Sequence, residues 1–192
     1  MTMSASKSGK ISNKNKMQCI RFIVRKTQSQ DLESILDMIQ ELADYEKMSV
    51  GPKLKKEHLL KDGAFENDSD MQFFHSFVAE MNPNDPSNRK IIGYTIAFFS
   101  YSSSIGKCYF IEDIYVKPEY RKLGVGHSLF KINVQYAFDN NCKQLNLHVL
   151  DWNKPAISFY QKNGGIDWTN ERGVEFHRFD SETMRNLLKI SS

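Results

Sequence analysis

The sequence predicts an α/β protein, in which strands and helices are interspersed within one domain of 192 residues. Three features lead to this prediction. Apolar residues in 32–43 recur with the period of an amphipathic helix. Residues 73–101 are typical of two strands joined by a polar, proline-containing turn. Residues 109–130 change from an aromatic and β-branched strand, through a glycine-containing loop, into a helix.

The predicted elements follow the order β-α-α-β-β-β-α-β-α-β, before a short terminal helix. Strands are expected at residues 20–25, 73–81, 90–101, 109–116, 145–149 and 174–179. Helices are expected at residues 32–46, at 55–62, from His127 onward, from Asn153 to Gly164, and from Ser181. In the helix from His127, four apolar residues are expected to share the buried face: Phe130, Val134, Ala137 and Phe138.

Local signals mark two of these helices. Thr27, followed three residues later by Gln30, predicts a capping box before the first long helix. Asn153 predicts an N-cap, because Pro155 lies in the following turn and a pair of glycines stands where the helix ends.

The stretch 109–130 holds most of the candidate chemistry. Glu112 and Asp113 are neighbours in its strand, so simple alternation sends them to opposite faces of the sheet. Pro118 ends the strand, and residues 121–126 form a basic loop with glycines at two positions. Backbone N–H groups of such a loop and of the helix start can converge on a phosphate. A phosphate site is therefore expected here, although GxG alone is also typical of an ordinary glycine turn.

The loop lacks two common nucleotide-binding patterns. GxxxxGK[ST] is absent, and Gly124-x-Gly126 has no third glycine two residues later. The order R-x-x-G-x-G after an acid-bearing strand instead resembles the acetyl-CoA-binding motif of the GCN5-related N-acetyltransferases. In that family the loop holds the pyrophosphate of coenzyme A.

Other segments strengthen this resemblance and favour one branch of the family. VLDWNKPAISFYQKNGG at 149–165 is similar to the family's second motif. ELADYEKM at 41–48 and IEDIYVKPEYRKLGVG at 111–126 resemble the spermidine/spermine and thialysine N-acetyltransferases. The resemblance covers about residues 20–190. It implies a mixed, mostly antiparallel sheet flanked by helices, with central strands that splay apart to admit the cofactor.

The resemblance also implies a set of site residues, with acetyl-CoA as co-substrate and no metal. The expected acetyl-CoA contacts are Ile114, Tyr115, Val116, Arg121, Lys122, Leu123, Gly124, Val125, Gly126, His127, Asn153, Lys154, Pro155 and Ala156. The expected substrate contacts are Tyr45, Glu46, Glu112, Asn146, Leu147, His148 and Glu171. Asn153 is also explained as a helix cap alone.

Acetyl transfer to an amine requires a neutral amine and a proton for the departing thiolate. Alkyl amines have a pKa of about 10, so a base or a water relay must first remove a proton. Glu112 is expected to be this base, directly or through water, unless it is merely paired with a neighbouring cation. By resemblance, Tyr160 protonates the coenzyme A sulfur, because a phenol keeps its proton at pH 7. By pattern alone a tyrosine beside Phe159 is more often a core residue, and the resemblance of the surrounding NKPAISFYQKNGG motif overturns that interpretation.

The substrate prediction depends on departures from the spermidine/spermine enzymes. Ser102 and Ser104 stand where those enzymes have an acid and a tryptophan, and Arg172 replaces an acid next to Glu171. Less negative charge should weaken the binding of a long polycation. The expected substrate is therefore a primary amine of a thialysine-like amino acid or a small diamine, with spermidine or spermine as the alternative. A protein N-acetyltransferase and a non-catalytic CoA-binding module are the remaining alternatives.

The distribution of charge along the sequence limits which other functional classes fit the chain. Residues 1–18 carry four lysines and no acid, which leaves 22 basic and 23 acidic residues in the remainder, a net charge of −1. A near-neutral body is not typical of a nucleic-acid-binding domain. We therefore expect a disordered basic extension at 1–18 and an N-acetyltransferase domain at 19–192.

Cysteine usage and hydropathy bear on the compartment. The three cysteines are far apart and form no CxxC pair, which predicts reduced thiols, and the five histidines lack metal-ligand spacing. The apolar stretch around 91–99 is too short for a membrane span, and the N-terminus lacks the apolar core of a secretory signal. A cytoplasmic enzyme without nucleic-acid or membrane partners is expected, and the resemblance implies a homodimer.

Overall fold

The computed structural model describes residues 7–13, 16–48, 51–66, 71–85 and 87–188, with side chains from Arg21 onward. The chain divides into two compact units, Met1–His148 and Val149–Ser192. Each unit is described by itself.

The first unit is built on a mixed sheet. Within the described residues the sheet has six strands in sequence order: β1 Lys7–Asn13, β2 Lys16–Lys26, β3 His75–Met81, β4 Lys90–Ser102, β5 Gly106–Val116 and β6 Gln144–Leu147. All neighbouring pairs are antiparallel except β5 and β6, which are parallel. The predicted mixed, mostly antiparallel sheet is confirmed.

Helices cover both faces of this sheet. In the first unit they are α1 Leu32–Tyr45, α2 Lys56–Asp62 and α3 Val125–Asp139. Leu32, Ile35 and Met38 of α1 bury against Tyr94 of β4 and Tyr115 of β5 on one face. On the other face α3 packs its buried side chains against β2, β3 and β4. The two helical layers hold β4 and β5 in the middle of the unit.

The buried face of α3 differs from the predicted one. The deeply buried positions are Val125, Leu129, Asn133 and Ala137, while Val134 and Phe138 are exposed by 42% and 77%. The observed face follows a strict spacing of four residues, and it contains a polar member that hydropathy alone would not select. Asn133 is buried because its side-chain amide donates to Thr95 Oγ1 and to the Leu129 carbonyl, at 3.0 and 2.8 Å.

The capping box predicted at Thr27 and Gln30 forms instead at Gln28 and Asp31, where it opens the 3-10 turn Ser29–Asp31 that leads into α1. The Asp31 carboxylate accepts a hydrogen bond from the Gln28 N–H at 2.8 Å and from Arg25 Nη1 at 2.6 Å. The Thr27 hydroxyl instead lies 2.7 Å from the Ser76 hydroxyl on β3. Both cap positions are therefore shifted by one residue, because Thr27 is used to join two strands.

The second unit contains three helices, α4 Lys154–Lys162, α5 Trp168–Arg172 and α6 Ser181–Leu188. Helices α4 and α6 were predicted, and α5 was not. The strand predicted at 174–179 is wrong, because these residues have no regular structure. Their apolar alternation fits a strand, but a strand also needs a hydrogen-bonded neighbour.

The N-terminal segment contains one element that the sequence does not predict. Strand β1 lies within residues 1–18 and pairs with β2 from Lys7↔Phe22 to Asn13↔Lys16. Among the described strands β1 pairs with β2 alone, which makes it an edge strand of the described sheet. The boundary between an extension and a domain that begins at residue 19 stays a prediction.

Deletion of residues 1–18 tests this boundary. The buried hydrophobic side chains that the structure describes begin at Phe22, so the deletion should leave the core in place. We expect the melting temperature to fall by less than about 3 °C, which is under about 1 kcal/mol for a domain of this size. A fall of many degrees in thermal unfolding would show that β1 is part of the stable fold.

Candidate active site

A β-bulge in β5 places Glu112 outside the regular alternation of the strand. Ile96 of β4 pairs with Asp113, and the next residue, Ala97, pairs with Ile111. Glu112 is thus the extra residue between two paired positions. A bulge bends its strand and redirects the side chains around it. The sequence-based expectation that Glu112 and Asp113 alternate between opposite faces therefore does not apply here.

The same end of β5 lacks a neighbour on its other side. Pairing with β6 runs from Cys108↔Gln144 to Ile111↔Leu147, while β5 continues to Val116. Residues 112–116 are therefore paired to β4 but not to β6. This opening matches the predicted splaying of central strands, and it begins at the bulge.

Three carboxyl groups influence one another at this opening. Burial and the charge of Glu112 raise the pKa of Glu46, which follows the last residue of α1. Burial raises the pKa of Asp113 to about 6, and the charges of Glu112 and Glu46 add to this effect. Asp113 accepts a hydrogen bond from the Tyr94 hydroxyl at 3.0 Å, and this bond opposes the rise. We call Glu46, Glu112 and Asp113 the acidic group.

The C-terminal half of α1 is tied to the end of β5 by a second set of polar contacts. Glu41 accepts hydrogen bonds from the Tyr115 hydroxyl at 3.0 Å and from Lys117 Nζ at 2.6 Å. Burial would raise the pKa of Glu41, but these two bonds outweigh it and the pKa is lowered. Burial and the bond to Glu41 raise the pKa of Tyr115 to about 12. These contacts hold the end of α1, and with it Glu46, beside β5.

The basic loop meets the same region. The Arg121 guanidinium lies 5.4 Å from the ring centroid of Tyr45 and 5.4 Å from that of Tyr115. Arg121 Nε donates to the Val116 carbonyl at 2.9 Å. Arg121 therefore contacts both Tyr45, which is predicted to bind the substrate, and Tyr115, which is predicted to bind acetyl-CoA.

The loop then turns into α3 through left-handed backbone. Lys122 has φ +62° and Gly124, the N-cap of α3, has φ +85°. Val125 and Gly126 follow in the first turn, where backbone N–H groups have no intrahelical acceptor. A Cβ atom at Gly126 would meet Val116 Cγ2 at 3.7 Å, an ordinary contact. The protein itself therefore tolerates a larger residue at Gly126, and a ligand that approaches the backbone would not.

The other predicted residues of this unit lie at the end of β6. Asn146 and Leu147 are its last residues, and His148 follows. The His148 ring packs edge-on against Phe110, with 4.9 Å between centroids. Asn146 Oδ1 accepts a hydrogen bond from Gln144 Nε2 at 2.5 Å. The backbone thus places these residues where the pairing of β5 and β6 stops.

In the second unit, α4 carries the remaining predicted acetyl-CoA residues and Tyr160. Asn153 is its N-cap and accepts from the Ala156 N–H at 3.3 Å, so the predicted cap is confirmed. The Tyr160 carbonyl accepts from the Gly165 N–H at 2.9 Å, which closes the end of α4. Burial raises the pKa of Tyr160 to about 12. Its phenol therefore remains protonated throughout the neutral range.

The residues behind the substrate prediction occupy exposed positions. Glu171 and Arg172 lie on α5, where the Arg172 guanidinium is 5.1 Å from the Trp168 ring centroid. Ser102 ends β4, and its hydroxyl lies 2.9 Å from that of Ser104.

A cavity of about 650 Å³ lies elsewhere in the first unit, beside the start of α1. Its lining includes Ser34, Lys90 and Glu119, and none of the predicted site residues lines it. The charged groups there are largely engaged with one another, since Asp31 binds Arg25 and Arg89 and Lys117 binds Glu41. Volume alone therefore does not locate the chemistry of this protein.

Sequence reasoning missed Glu41, Tyr94 and the contribution of Asp113 to the acidic group. No local pattern distinguishes Glu41 from the other acids of α1, because its partners lie more than 70 residues away, at sequence separations of 74 and 76. The bulge depends on the register between two strands, which the sequence does not display.

A sequence model described as the acetyltransferase (GNAT) family matches residues 36–165. The chain belongs to this family. Among curated relatives, it is 42% identical over 167 residues to "Thialysine N-epsilon-acetyltransferase" of Sus scrofa, covering 86% of this chain and 96% of that protein. It is 32% identical over 167 residues to "Spermidine/spermine N(1)-acetyltransferase-like protein 1" of Homo sapiens, covering 86% of this chain and 24% of that protein.

Solved structures confirm the GNAT fold. The aminoglycoside N-acetyltransferase AAC(6')-Iy, in complex with CoA, superposes with a TM-score of 0.62 at 20% identity, covering 84% of this chain and 97% of that chain. Within the described parts of this GNAT chain, no helix is long and apolar enough to cross a membrane. In the same ranges, no group of three or more His, Cys, Asp or Glu side chains could hold a metal ion.

Gly126→Ala tests whether phosphate approaches the start of α3. The new methyl group fits the protein and should slightly favour the helix, so the melting temperature should hold or rise. Acetyl-CoA affinity should fall on the order of tenfold, which is about one charged hydrogen bond. Titration calorimetry measures this, with Val134→Ala on the exposed face of the same helix as the control. Equal affinities for the two variants would place the pyrophosphate elsewhere.

Proposed function

We propose that this GNAT chain transfers the acetyl group of acetyl-CoA to a primary amine of a thialysine-like amino acid or a small diamine. The acidic group at the bulge of β5 is the observation that carries this proposal. It offers negative charge to an ammonium group at the point where β5 loses its second neighbour. The similarity to thialysine N-epsilon-acetyltransferases supports the choice of substrate.

The proposed reaction begins with removal of one proton from the bound ammonium group. Glu112, which is exposed at the bulge, accepts this proton directly or through a water molecule. The neutral nitrogen then forms a bond to the thioester carbonyl carbon, and the carbon–sulfur bond breaks. Tyr160 gives the departing thiolate its phenolic proton. The new amide nitrogen releases its second proton, which returns the Tyr160 phenolate to the phenol through water. The raised pKa keeps the Tyr160 phenol protonated in the neutral range, so the proton is present when the carbon–sulfur bond breaks.

The proposed acetyl-CoA site follows the backbone from β5 into α3. Ile114 to Val116 lie on the part of β5 without a β6 partner, where main-chain groups can bind an extended ligand. Residues 121–127 supply the basic loop and the helix start for the pyrophosphate. Residues 153–156, at the start of α4, complete the proposed set.

The proposed preference for a small amine follows from charge. Glu46, Glu112 and Asp113 can attract an ammonium group, whereas Ser102 and Ser104 add no charge and Arg172 would repel a distant ammonium. A thialysine-like substrate presents one side-chain amine and a carboxylate. Spermidine and spermine spread further positive charges along the chain, and acetylation of these polyamines is the second candidate function.

We also propose a cytoplasmic homodimer. Free thiols at Cys108 and Cys142 support a reducing compartment. In the second unit, apolar side chains from 166 to 188 are exposed by 47% to 69%, a surface that association of two chains would cover. They are Ile166, Trp168, Val174, Phe176, Phe179, Met184, Leu187 and Leu188.

Tyr160→Phe removes one hydroxyl group and keeps the ring. If the hydroxyl protonates the thiolate, kcat should fall on the order of 100-fold, at the lower end for a general acid. Acetyl-CoA affinity should stay within about twofold, since the ring and the start of α4 are unchanged. Tyr101→Phe, at a tyrosine that is 81% exposed on β4, serves as the matched control. Unchanged kcat in the Tyr160 variant would leave Tyr160 as a packing residue.

Competition between amines tests the proposed substrate. We expect a higher kcat/KM for thialysine than for spermidine or spermine. Arg172→Glu combined with Ser102→Asp should raise kcat/KM for the polyamines relative to kcat/KM for thialysine. The expected change is roughly several-fold, since each added favourable contact contributes about 1 kcal/mol. Lys131→Glu, on exposed α3 surface, matches the charge change of Arg172→Glu alone and is compared with that single variant. A wild-type preference for spermine would favour the second candidate, and acetylation of none of these amines would point to a protein substrate.

A further inference from the structure

We propose that Asp113 and Tyr94 position Glu112, by anchoring the residue that follows the bulge and by keeping a second negative charge beside the reacting amine. This inference rests on the proposed role of Glu112 as the base. It assigns a function to Tyr94, which is fully buried, and to Asp113, which is partly buried, whereas Glu112 is exposed.

The geometry of the anchor comes from the register of β4 and β5. Glu112 has no paired position of its own, so its direction depends on how firmly Ile111 and Asp113 are held on either side. Ile111 is fixed by apolar burial, at 1% exposure. Asp113 is fixed by the hydrogen bond from the Tyr94 hydroxyl at 3.0 Å.

Tyr94 is suited to this task because it cannot move easily. It has no solvent exposure and packs in the core formed by α1, α2 and the sheet. Burial and the neighbouring Asp113 carboxyl raise the pKa of Tyr94, so its hydroxyl remains a donor. A buried tyrosine on β4 thus holds an acid on β5 at the residue where the bulge closes.

The charges around Asp113 come from each element that packs against it. Glu46 faces it from the end of α1, Tyr94 from β4, and Glu112 from β5 itself. Tyr115 and its partner Glu41 lie next to Tyr94, and Lys117 and Arg121 compensate Glu41 rather than Asp113.

No cation in this set neutralises the acidic group directly. Binding of an ammonium group should therefore favour the ionised form of Asp113, and protonation of Asp113 should weaken the attraction for that ammonium group.

Two substitutions separate the anchor from the charge. Tyr94→Phe removes the hydroxyl and leaves the ring in the core. Asp113→Asn keeps an oxygen that can accept from Tyr94 but removes the charge. We expect kcat to fall on the order of tenfold to a hundredfold in Tyr94→Phe, because a base displaced by about 1 Å loses that much. Acetyl-CoA affinity should not change in either variant, and Tyr101→Phe on the same strand should behave as wild type.

The dependence of kcat/KM on pH gives the decisive readout. Dividing the wild-type values by those of Asp113→Asn cancels the titration of the amine substrate. This ratio should fall as the pH is lowered through about 6, the pKa of Asp113. In Tyr94→Phe the bond that lowers the pKa of Asp113 is lost, so the acidic limb should move to higher pH.

Thermal unfolding supplies an independent check on Asp113. Its pKa rises from an ordinary 3.8 to about 6 in the folded protein, so between these values the folded state holds more protons than the unfolded state. Asp113 therefore adds to the free energy of unfolding of the wild type below about pH 4, and this contribution is lost as the pH rises through about 6. The melting temperature of Asp113→Asn relative to wild type should rise over the same interval.

Several outcomes would overturn the inference. The inference is wrong if Tyr94→Phe and Asp113→Asn both keep the wild-type kcat. It is also wrong if activity falls by the same factor at every pH, because a structural defect lowers activity without changing the shape of the pH profile. Glu112→Gln is measured in parallel. If this variant alone is inactive, the positioning role of Asp113 and Tyr94 fails while the proposed function stands. If Glu112→Gln is fully active, the proposed base is itself wrong.

Discussion

The pairing of β4 with β5 is the constraint on which the rest of the site depends. It runs from Gly93↔Val116 to Ser102↔Gly106 and is interrupted once, at Glu112. On one side of that interruption β5 is paired to both β4 and β6, and on the other it is paired to β4 alone. A single extra residue therefore falls where the sheet opens. Beyond this residue the main-chain groups of β5 have no β6 partner, and the bulge takes the Glu112 side chain out of the regular alternation of the strand.

An acidic group without a cation of its own is costly, and the surrounding structure offsets that cost by rigid support. Glu41, Tyr115 and Lys117 form a compensated set that ties α1 to β5, which keeps Glu46 in place without neutralising it. Arg121 is held between two tyrosine rings, where it serves the loop rather than the acids. Lys117 and Arg121 thus contact Glu41 and the two tyrosine rings rather than the acidic group.

The sequence is sufficient to predict what local chemistry decides. The period of α1, the Asn153 cap and the strand–loop–helix order around Gly124 all depend on residues within a few positions of one another. The predictions that are wrong concern features that depend on contacts between residues far apart in the sequence. Val134 and Phe138 are exposed because strands β2 to β4 meet a different face of α3. Residues 174–179 are not a strand because alternation does not provide a neighbour. For the same reason the bulge, and the contact between Tyr94 and Asp113, could not be predicted.

The acidic group is better matched to an occupied site than to an empty one. The charges of Glu112 and Glu46 add to burial in raising the pKa of Asp113, so in the absence of a cation they oppose the ionisation of Asp113. By the same electrostatics, a bound ammonium group would favour the ionised form of Asp113 and would bind more tightly to that form. In the proposed reaction the amine gives up one proton to Glu112, which directly precedes Asp113 in the bulge. Binding and deprotonation in the proposed reaction therefore involve the same carboxyl groups, and these groups lie where β5 is irregular and keeps only β4 as its paired strand.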